Sequence, residues 1–148
     1  MKLLKTKLVI YAILLFGFLG FLDSAYLTIL HYKDAIPPCT VTNGCETVLT
    51  SSYSQVFGIP IALFGAGFYI SVIGVSILLL TNPKDLFFKA LYVLADAGML
   101  VSIVLIYIQF AILKTSCQYC LFSELTSLGI FIAAILIWKN LKSSKKVN

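Results

Sequence analysis

Apolar residues fall into four long stretches along this chain of 148 residues, and three polar connections separate them. The stretches cover residues 8–30, 59–80, 86–113 and 121–138. Each reaches or approaches the roughly 20 helical residues that cross a hydrocarbon core. Runs such as IGVSILLL (73–80) lack the alternation of a membrane strand. The pattern therefore predicts an all-α membrane protein, a single domain over residues 1–148 folded as a four-transmembrane-helix bundle.

The first connection, residues 31–58, is the only long one, and it has an internal order. Asn43 and Gly44 mark a turn just before Cys45. From Cys45 to Phe57, apolar residues recur at offsets of three, four and seven to eight, with serines between them. Such spacing is typical of a short amphipathic helix that lies on the bundle or in the membrane interface. This outer loop and its helix are expected to cap the bundle; an ordinary loop at the lipid headgroups is the alternative.

Lysine placement predicts the orientation of the helices, because short connections rich in lysine stay cytoplasmic. Both termini are expected in the cytoplasm of a multi-pass protein of the cell membrane. The net charge of +5 is then an orientation signal beside anionic lipid and implies no nucleic-acid partner. A cleaved signal peptide is the alternative for the basic start, but no clear small-x-small site follows its apolar core. Nine lysines lie on the cytoplasmic side and two, Lys33 and Lys114, on the other; the nine are Lys2, Lys5, Lys7, Lys84, Lys89, Lys139, Lys142, Lys145 and Lys146.

The four cysteines all lie on the side that the lysines place outside. Cys39 and Cys45 share the first connection, whereas Cys117 and Cys120 form a Cys-x-x-Cys motif at the start of the fourth stretch. With Ser116 as its N-cap, the fourth helix would span residues 117–138 and hold Cys117 in its first turn, where free N–H groups favour a thiolate. A spacing of three puts Cys120 on the same face, one turn deeper in the bilayer. One thiol would thus face the outer loop and the other a lipid-soluble acceptor.

Two other uses of the four cysteines are open. A zinc site would need two closely spaced pairs and usually belongs to a soluble module, whereas Cys39 and Cys45 have five residues between them. Structural disulfides are the second alternative, since all four cysteines lie on the oxidising side. Redox exchange between the two pairs is the favoured interpretation, and no metal is expected.

Several motifs occur together in one order along the chain. They are DSAYLTILHY (23–32), the loop pair Cys39 and Cys45, CETVLTSS (45–52), FGIP (57–60) and CQYC (117–120). This ordered set resembles the vitamin K epoxide reductase family in its prokaryotic form, and the likeness covers roughly residues 8–138. The resemblance implies a four-helix bundle around a quinone, capped by the outer loop and its short helix.

The resemblance also implies a role for each cysteine. Cys120 is the cysteine next to the quinone, Cys117 is its shuttling partner, and Cys45 is the loop cysteine that exchanges with Cys117. Cys39 is the outer cysteine that meets the protein partner, and Ser51 matches a family serine near the active site. Electrons would pass from a partner dithiol through a Cys39–Cys45 disulfide and a Cys117–Cys120 disulfide to the quinone, each step being thiol–disulfide exchange until the last.

The family implies partners as well. Many prokaryotic members carry a fifth helix and a fused thioredoxin-like domain, and this chain shows neither, so a separate thioredoxin-like (DsbA-like) protein is expected. The cofactor would be a quinone of the menaquinone, ubiquinone or vitamin K type, drawn from the membrane pool. The implied enzyme is a quinone-dependent thiol-disulfide oxidoreductase that supports disulfide formation. Vertebrate members have a tyrosine four residues after the second cysteine of the motif, where this chain has Glu124, and this puts vertebrate-type inhibitor sensitivity in doubt.

Other functions and residues stay open at this point. A vitamin K quinone or epoxide reductase of the endoplasmic reticulum would suit the tail KKVN (145–148), which matches a dilysine retrieval signal. A DsbB-type oxidase would carry its Cys-x-x-Cys in the first outer loop, and a non-enzymatic tetraspan scaffold would use disulfides only as locks. Asp23, Glu124 and His31 are polar residues in or beside the membrane, and each has a structural and a functional interpretation.

Overall fold

The computed structural model describes residues 2–145. Lys146, one of the lysines used to predict the orientation, lies outside the described residues. Within residues 2–145, four helices are long and apolar enough to cross a membrane, which confirms the predicted all-α fold with four crossings. The helices are α1 (Lys2–Tyr32), α2 (Cys45–Leu49), α3 (Ile61–Thr81), α4 (Asp85–Tyr107) and α5 (Gln118–Lys145).

The four long helices form a ring in which each packs against two neighbours, in the order α1, α3, α4, α5. Each of the four long helices contributes buried side chains to a common core, among them Ile13, Val72, Leu91 and Ile130. Large apolar side chains on the outer faces, such as Phe18, are exposed. In a membrane such faces contact lipid, so their exposure needs no protein partner.

Tyr69 joins three of the four long helices. α1 approaches its ring closely because residue 20 is glycine, where a Cβ atom would overlap the Tyr69 ring. The Tyr69 hydroxyl donates a hydrogen bond to the Ser123 carbonyl at 2.7 Å and lies 2.8 Å from Thr126 Oγ1. Since lipid offers no partner to a polar group, this bond fixes α3 against the segment of α5 that follows the Cys-x-x-Cys motif.

The long helices differ from the predicted stretches mainly at their ends. α1 begins at residue 2 rather than 8, because lysine is a good helix former and continues the helix past the apolar stretch. α3 begins at residue 61 rather than 59. Pro60 precedes it in the N-cap position with φ −63° and ψ 136°, an extended conformation outside the helix.

The outer loop carries a shorter helix than the apolar pattern predicts. α2 ends at Leu49, and a 3-10 turn (Ser52–Ser54) follows it. The chain then forms a two-residue antiparallel hairpin from β1 (Gln55–Val56) and β2 (Ile59–Pro60). The prediction of a helical segment reaching residue 57 was therefore wrong.

Hydroxyl side chains and a tight turn explain the early end of α2. Thr50 Oγ1 donates to the Glu46 carbonyl and Ser51 Oγ donates to the Val48 carbonyl, both at 2.7 Å, and such local bonds compete with helical ones. The hairpin turn then needs positive φ, 78° at Gly58, which a continuing helix does not allow.

The chain before the Cys-x-x-Cys motif ends in a π-helical turn, Ile108–Ile112, that follows α4. The Leu113 N–H bonds to the Ile108 carbonyl at 2.9 Å, one residue wider than in an α-helix. Lys114 then adopts φ 52° and ends the helical segment. The prediction of an α-helix over residues 86–113 was thus wrong over its last turn, because the chain must reverse into α5 within a few residues. Turns of this kind are frequent at functional sites.

Candidate functional site

The four cysteines meet at one end of the bundle. Cys39 and Cys45 form a disulfide with their Cα atoms 6.1 Å apart, whereas Cys117 and Cys120 are free thiols. Cys45 and Cys117 are buried together with Val48, and the other two cysteines pack against them in the same cluster. The structure therefore brings together the two pairs that the sequence singled out, one oxidised and the other reduced.

Cys117 is the N-cap residue of α5 rather than a member of its first turn. The helix begins at Gln118, and the Cys120 backbone N–H donates to Cys117 Sγ at 3.5 Å. The prediction of Ser116 as the cap was wrong, because the Cys117 sulfur takes the acceptor position that a serine oxygen would otherwise occupy. A hydrogen bond from the Cys120 thiol lowers the pKa of Cys117 to about 7; burial opposes this effect, and backbone N–H groups of Cys120 and Tyr119 add to it. A thiolate is consequently available near neutral pH.

Alkylation of Cys117 tests this hydrogen bond directly. In Cys120→Ser, which keeps a hydroxyl donor, we expect the alkylation rate to rise with a midpoint near the pKa of about 7. In Cys120→Ala the donor is lost, so the midpoint should move toward about 8.5, the usual value of a cysteine. Mass spectrometry of each variant after timed alkylation across the pH range measures both midpoints. Equal midpoints in the two variants would contradict the role of residue 120 as donor.

The two residues inside the motif, Gln118 and Tyr119, hold the outer loop. Gln118 Oε1 accepts a hydrogen bond from the Val41 N–H at 2.9 Å, and the Gln118 N–H donates to Thr42 Oγ1 at 3.1 Å. The Tyr119 hydroxyl donates to the Pro38 carbonyl at 3.2 Å. The loop segment on either side of the outer cysteine is thus docked on the start of α5, which keeps the loop disulfide beside the free pair.

An apolar cavity of about 640 Å³ lies between the helices next to this cluster. All four long helices line it, together with α2 and the residues that follow α2. Among the four cysteines, Cys120 alone is part of the lining. This volume and composition are typical of small-molecule sites. The reduced pair therefore lies between the loop disulfide and an apolar binding space.

Gln109, in the π-helical turn, connects the motif to the cavity. It is 2% exposed and lines the cavity. Its Oε1 accepts a hydrogen bond from the Cys117 N–H at 3.1 Å, and its Nε2 donates to Glu124 Oε1 at 2.7 Å. Sequence reasoning missed Gln109, although a lone amide within the apolar run 104–113 is a signal that could have found it.

The remaining candidate residues divide between the cavity and its surroundings. Ser51, His31 and Glu124 line the cavity, and the Ser51 hydroxyl donates to the Val48 carbonyl at 2.7 Å. Asp23 is not part of the lining. Its Oδ2 is buried and finds no hydrogen-bond partner among the described residues, and the same holds for Glu124 Oε2.

The fold and the site together define a class of protein. It is a multi-pass membrane protein that packs a disulfide and a reduced Cys-x-x-Cys pair into one cluster beside an apolar cavity.

Comparison with known proteins identifies the family. The sequence model of the vitamin K epoxide reductase family matches residues 11–135. The thiol-disulfide oxidoreductase LTO1 of Arabidopsis thaliana is 32% identical over 124 residues, which cover 77% of this chain and 32% of that protein. The chain thus spans about a third of the length of this relative. It belongs to the vitamin K epoxide reductase family, which confirms the resemblance seen in the motifs.

Proposed function

We propose that residues 1–148 act as one membrane domain, a thiol:quinone oxidoreductase that takes electrons from a thioredoxin-like (DsbA-like) protein and so makes disulfide bonds. The observation that carries this proposal is the single cluster that holds a disulfide and a reduced pair. Contact between an oxidised and a reduced pair is what thiol–disulfide exchange requires. A scaffold locked by disulfides would have no use for a reduced pair at that place.

The exposure of the cysteines supports an order of transfer from the surface inward. Cys39 is partly exposed, Cys45 and Cys117 are 1% and 0% exposed, and Cys120 lines the cavity. Cys39 is therefore the cysteine that a protein partner can reach, and Cys120 is the one that a molecule in the cavity can reach. Cys45 and Cys117, which are buried between these two positions, exchange electrons with each other.

Two exchanges move one electron pair along this order. In the first, the partner dithiol reduces the Cys39–Cys45 disulfide and becomes a disulfide itself. In the second, the Cys45 thiolate attacks Cys117 of an oxidised motif, so the loop disulfide forms again and the motif becomes a dithiol. The bonding pattern of the structure, with the loop oxidised and the motif reduced, matches the state after this second exchange.

A quinone would supply the oxidant that returns the motif to a disulfide, since it takes up two electrons and two protons. The cavity suits such a group, because its walls are largely apolar and its volume is about 640 Å³. It also offers a few polar groups, and one of them, Glu124, has a buried oxygen without a partner among the described residues. Cys120 and Ser51 would hold the quinone, which could be of the menaquinone, ubiquinone or vitamin K type.

The proposed orientation places the cysteine cluster on the outer face of the cell membrane and both termini in the cytoplasm. Nine of the eleven lysines lie on the cytoplasmic side of this arrangement, as the positive-inside rule requires. On the outer face the cluster would meet substrate proteins in an oxidising compartment.

The proposal can be tested on the full chain in spheroplasts of a host that lacks its own quinone-coupled thiol oxidase. A reduced thioredoxin-like protein added outside is expected to gain its disulfide, with one quinone reduced per disulfide. A double variant, Cys39→Ala with Cys45→Ala, should leave the partner reduced. Alkylation of the partner and the absorbance of the quinone measure the two products. Partner oxidation without quinone reduction would contradict the proposal, and reduction of a vitamin K epoxide would instead favour an epoxide reductase.

A further inference from the structure

Besides the thiol of Cys120, the cavity is lined by the carboxyl group of Glu124. The side chain is 6% exposed and lines the cavity. It follows Cys120 by four residues in α5, so both lie on the same face of the helix. Placing an ionisable side chain within a membrane span costs free energy, and such side chains are often functional. This position therefore makes Glu124 a candidate for a role in the reaction.

The hydrogen bonds around Gln109 decide how the Glu124 carboxyl is oriented. The Cys117 N–H needs an acceptor and finds Gln109 Oε1 at 3.1 Å. The amide group therefore presents its NH2 group to Glu124, and Nε2 donates to Glu124 Oε1 at 2.7 Å. Since Oε1 of Glu124 is the acceptor, a proton on this carboxyl resides on Oε2. That oxygen is buried and has no hydrogen-bond partner among the described residues.

The proposed reaction needs one more proton than the two cysteines of the motif supply. A motif with Cys117 as a thiolate and Cys120 as a thiol releases two electrons but only one proton when its disulfide forms. A quinone takes up two electrons and two protons, so one proton must come from another group. The titratable side chains that line the cavity are His31, Asp34, Tyr53, Tyr69, Cys120 and Glu124.

Glu124 is the candidate best placed among them. The Tyr69 hydroxyl already donates to the Ser123 carbonyl at 2.7 Å. His31 and Asp34 lie at the outer end of α1 and in the loop after it, and Tyr53 lies in the 3-10 turn of the outer loop. Glu124 shares the helix face of Cys120 and is linked to the Cys117 cap through Gln109.

We propose that Glu124 donates the second proton when the motif is oxidised, and that Gln109 is the positioning residue that leaves this proton on Oε2. The inference rests on the proposed function. In the step, the O–H bond of Glu124 breaks, its proton goes to the reduced quinone, and the carboxylate remains. The Cys117 thiolate forms with loss of one proton to water in the preceding exchange, and Glu124 regains one proton from water, so both protons of the partner dithiol are accounted for.

Glu124→Gln tests the proposal, because glutamine keeps the size and an oxygen for Gln109 but carries no transferable proton. We expect the single-turnover oxidation of the reduced motif by added quinone to slow by about 10²-fold, the usual scale for a lost general acid. Glu124→Asp should recover part of the rate. Asp96→Asn, which removes a carboxyl of α4 outside the cavity lining, is the matched control and should react at the unaltered rate.

Two further measurements separate proton donation from a structural role. The infrared band of the protonated Glu124 carboxyl should be lost from the spectrum of Glu124→Gln relative to the unaltered chain, and the same band should persist in Asp96→Asn. In the background Cys39→Ala with Cys120→Ala, disulfide formation between Cys45 and Cys117 should be unchanged by Glu124→Gln, which shows that the variant is folded. An unaltered oxidation rate in Glu124→Gln, or an unaltered infrared band, would overturn the inference alone. Failure of quinone to oxidise the unaltered chain would overturn the proposed function and this inference with it.

Discussion

Replacing Cys120 with alanine is expected to abolish the proposed quinone-dependent oxidation of a thioredoxin-like partner, with a rate loss of at least about 10³-fold, as for other removed nucleophiles. Cys120 is the only one of the four cysteines that lines the cavity. Cys117 is fully buried, so it cannot replace Cys120 as the thiol that meets an oxidant there. The rate of partner oxidation in membranes with a saturating quinone measures the loss.

The exchange between Cys45 of the outer loop and Cys117 of the motif should not require Cys120. In the double variant Cys39→Ala with Cys120→Ala, the remaining cysteines are Cys45 and Cys117, which lie together at the buried centre of the cluster. Mild oxidation is expected to join them in a disulfide, detected by peptide mapping under non-reducing conditions. The matched variant Cys45→Ala with Cys120→Ala retains Cys39 and should form much less of the corresponding bond, since Cys39 packs only against the periphery of that centre.

Two results would contradict the proposed order of electron transfer through the four cysteines. If Cys120→Ala kept its quinone-dependent activity, electrons would have to leave the cluster by another route. If Cys39 and Cys45 joined Cys117 with equal yield, the buried position of Cys45 would not determine the exchange partner. The first result concerns the transfer of electrons from Cys120 to the quinone, and the second concerns the exchange between Cys45 and Cys117.

The membrane-crossing helices could be predicted because hydropathy is a local property that sums along the chain. The meeting of the cysteine pairs could also be predicted, since four crossings place the first and third connections on one side. The ends of the helices could not be predicted in the same way. Lys2 and Lys5 continue α1 because lysine is a good helix former, and Pro60 remains outside α3. Residues 116 and 117 can each offer an N-cap acceptor, so the sequence does not decide between them.

The polar contacts of the site were beyond prediction because they join residues far apart in the chain. Gln118 bonds to Thr42 across 76 residues and to Val41 across 77, and nothing local marks these partners. Gln109 enters the site through a π-helical turn, a geometry that apolar periodicity does not reveal. The cysteines were visible from their spacing, whereas the contacts made by the residues that position them became visible only in the folded chain.

Gly44→Ala should slow the exchange between Cys45 and Cys117 by about 10²-fold, the scale expected for a displacement of about 1 Å at a reacting group. A Cβ atom at Gly44 would overlap the Thr115 side chain and lie 2.6 Å from the Ser116 carbonyl oxygen. Gly44 has φ −105° and ψ 3°, which alanine can adopt. The effect would therefore come from the lost space, which pushes the start of α2 away from the turn before α5.

The Gly44→Ala measurement uses the background that retains only Cys45 and Cys117, in which the initial rate of disulfide formation reports the exchange. Gly67→Ala is the matched control, because a Cβ atom at Gly67 meets no atom within 4 Å, and its rate should equal that of the background. In the chain with all four cysteines, quinone should still oxidise a pre-reduced motif in Gly44→Ala at the unaltered rate, since Cys117 and Cys120 keep their places at the start of α5. An unchanged exchange rate in Gly44→Ala would show that the close approach of α2 to residues 115–116 does not position Cys45.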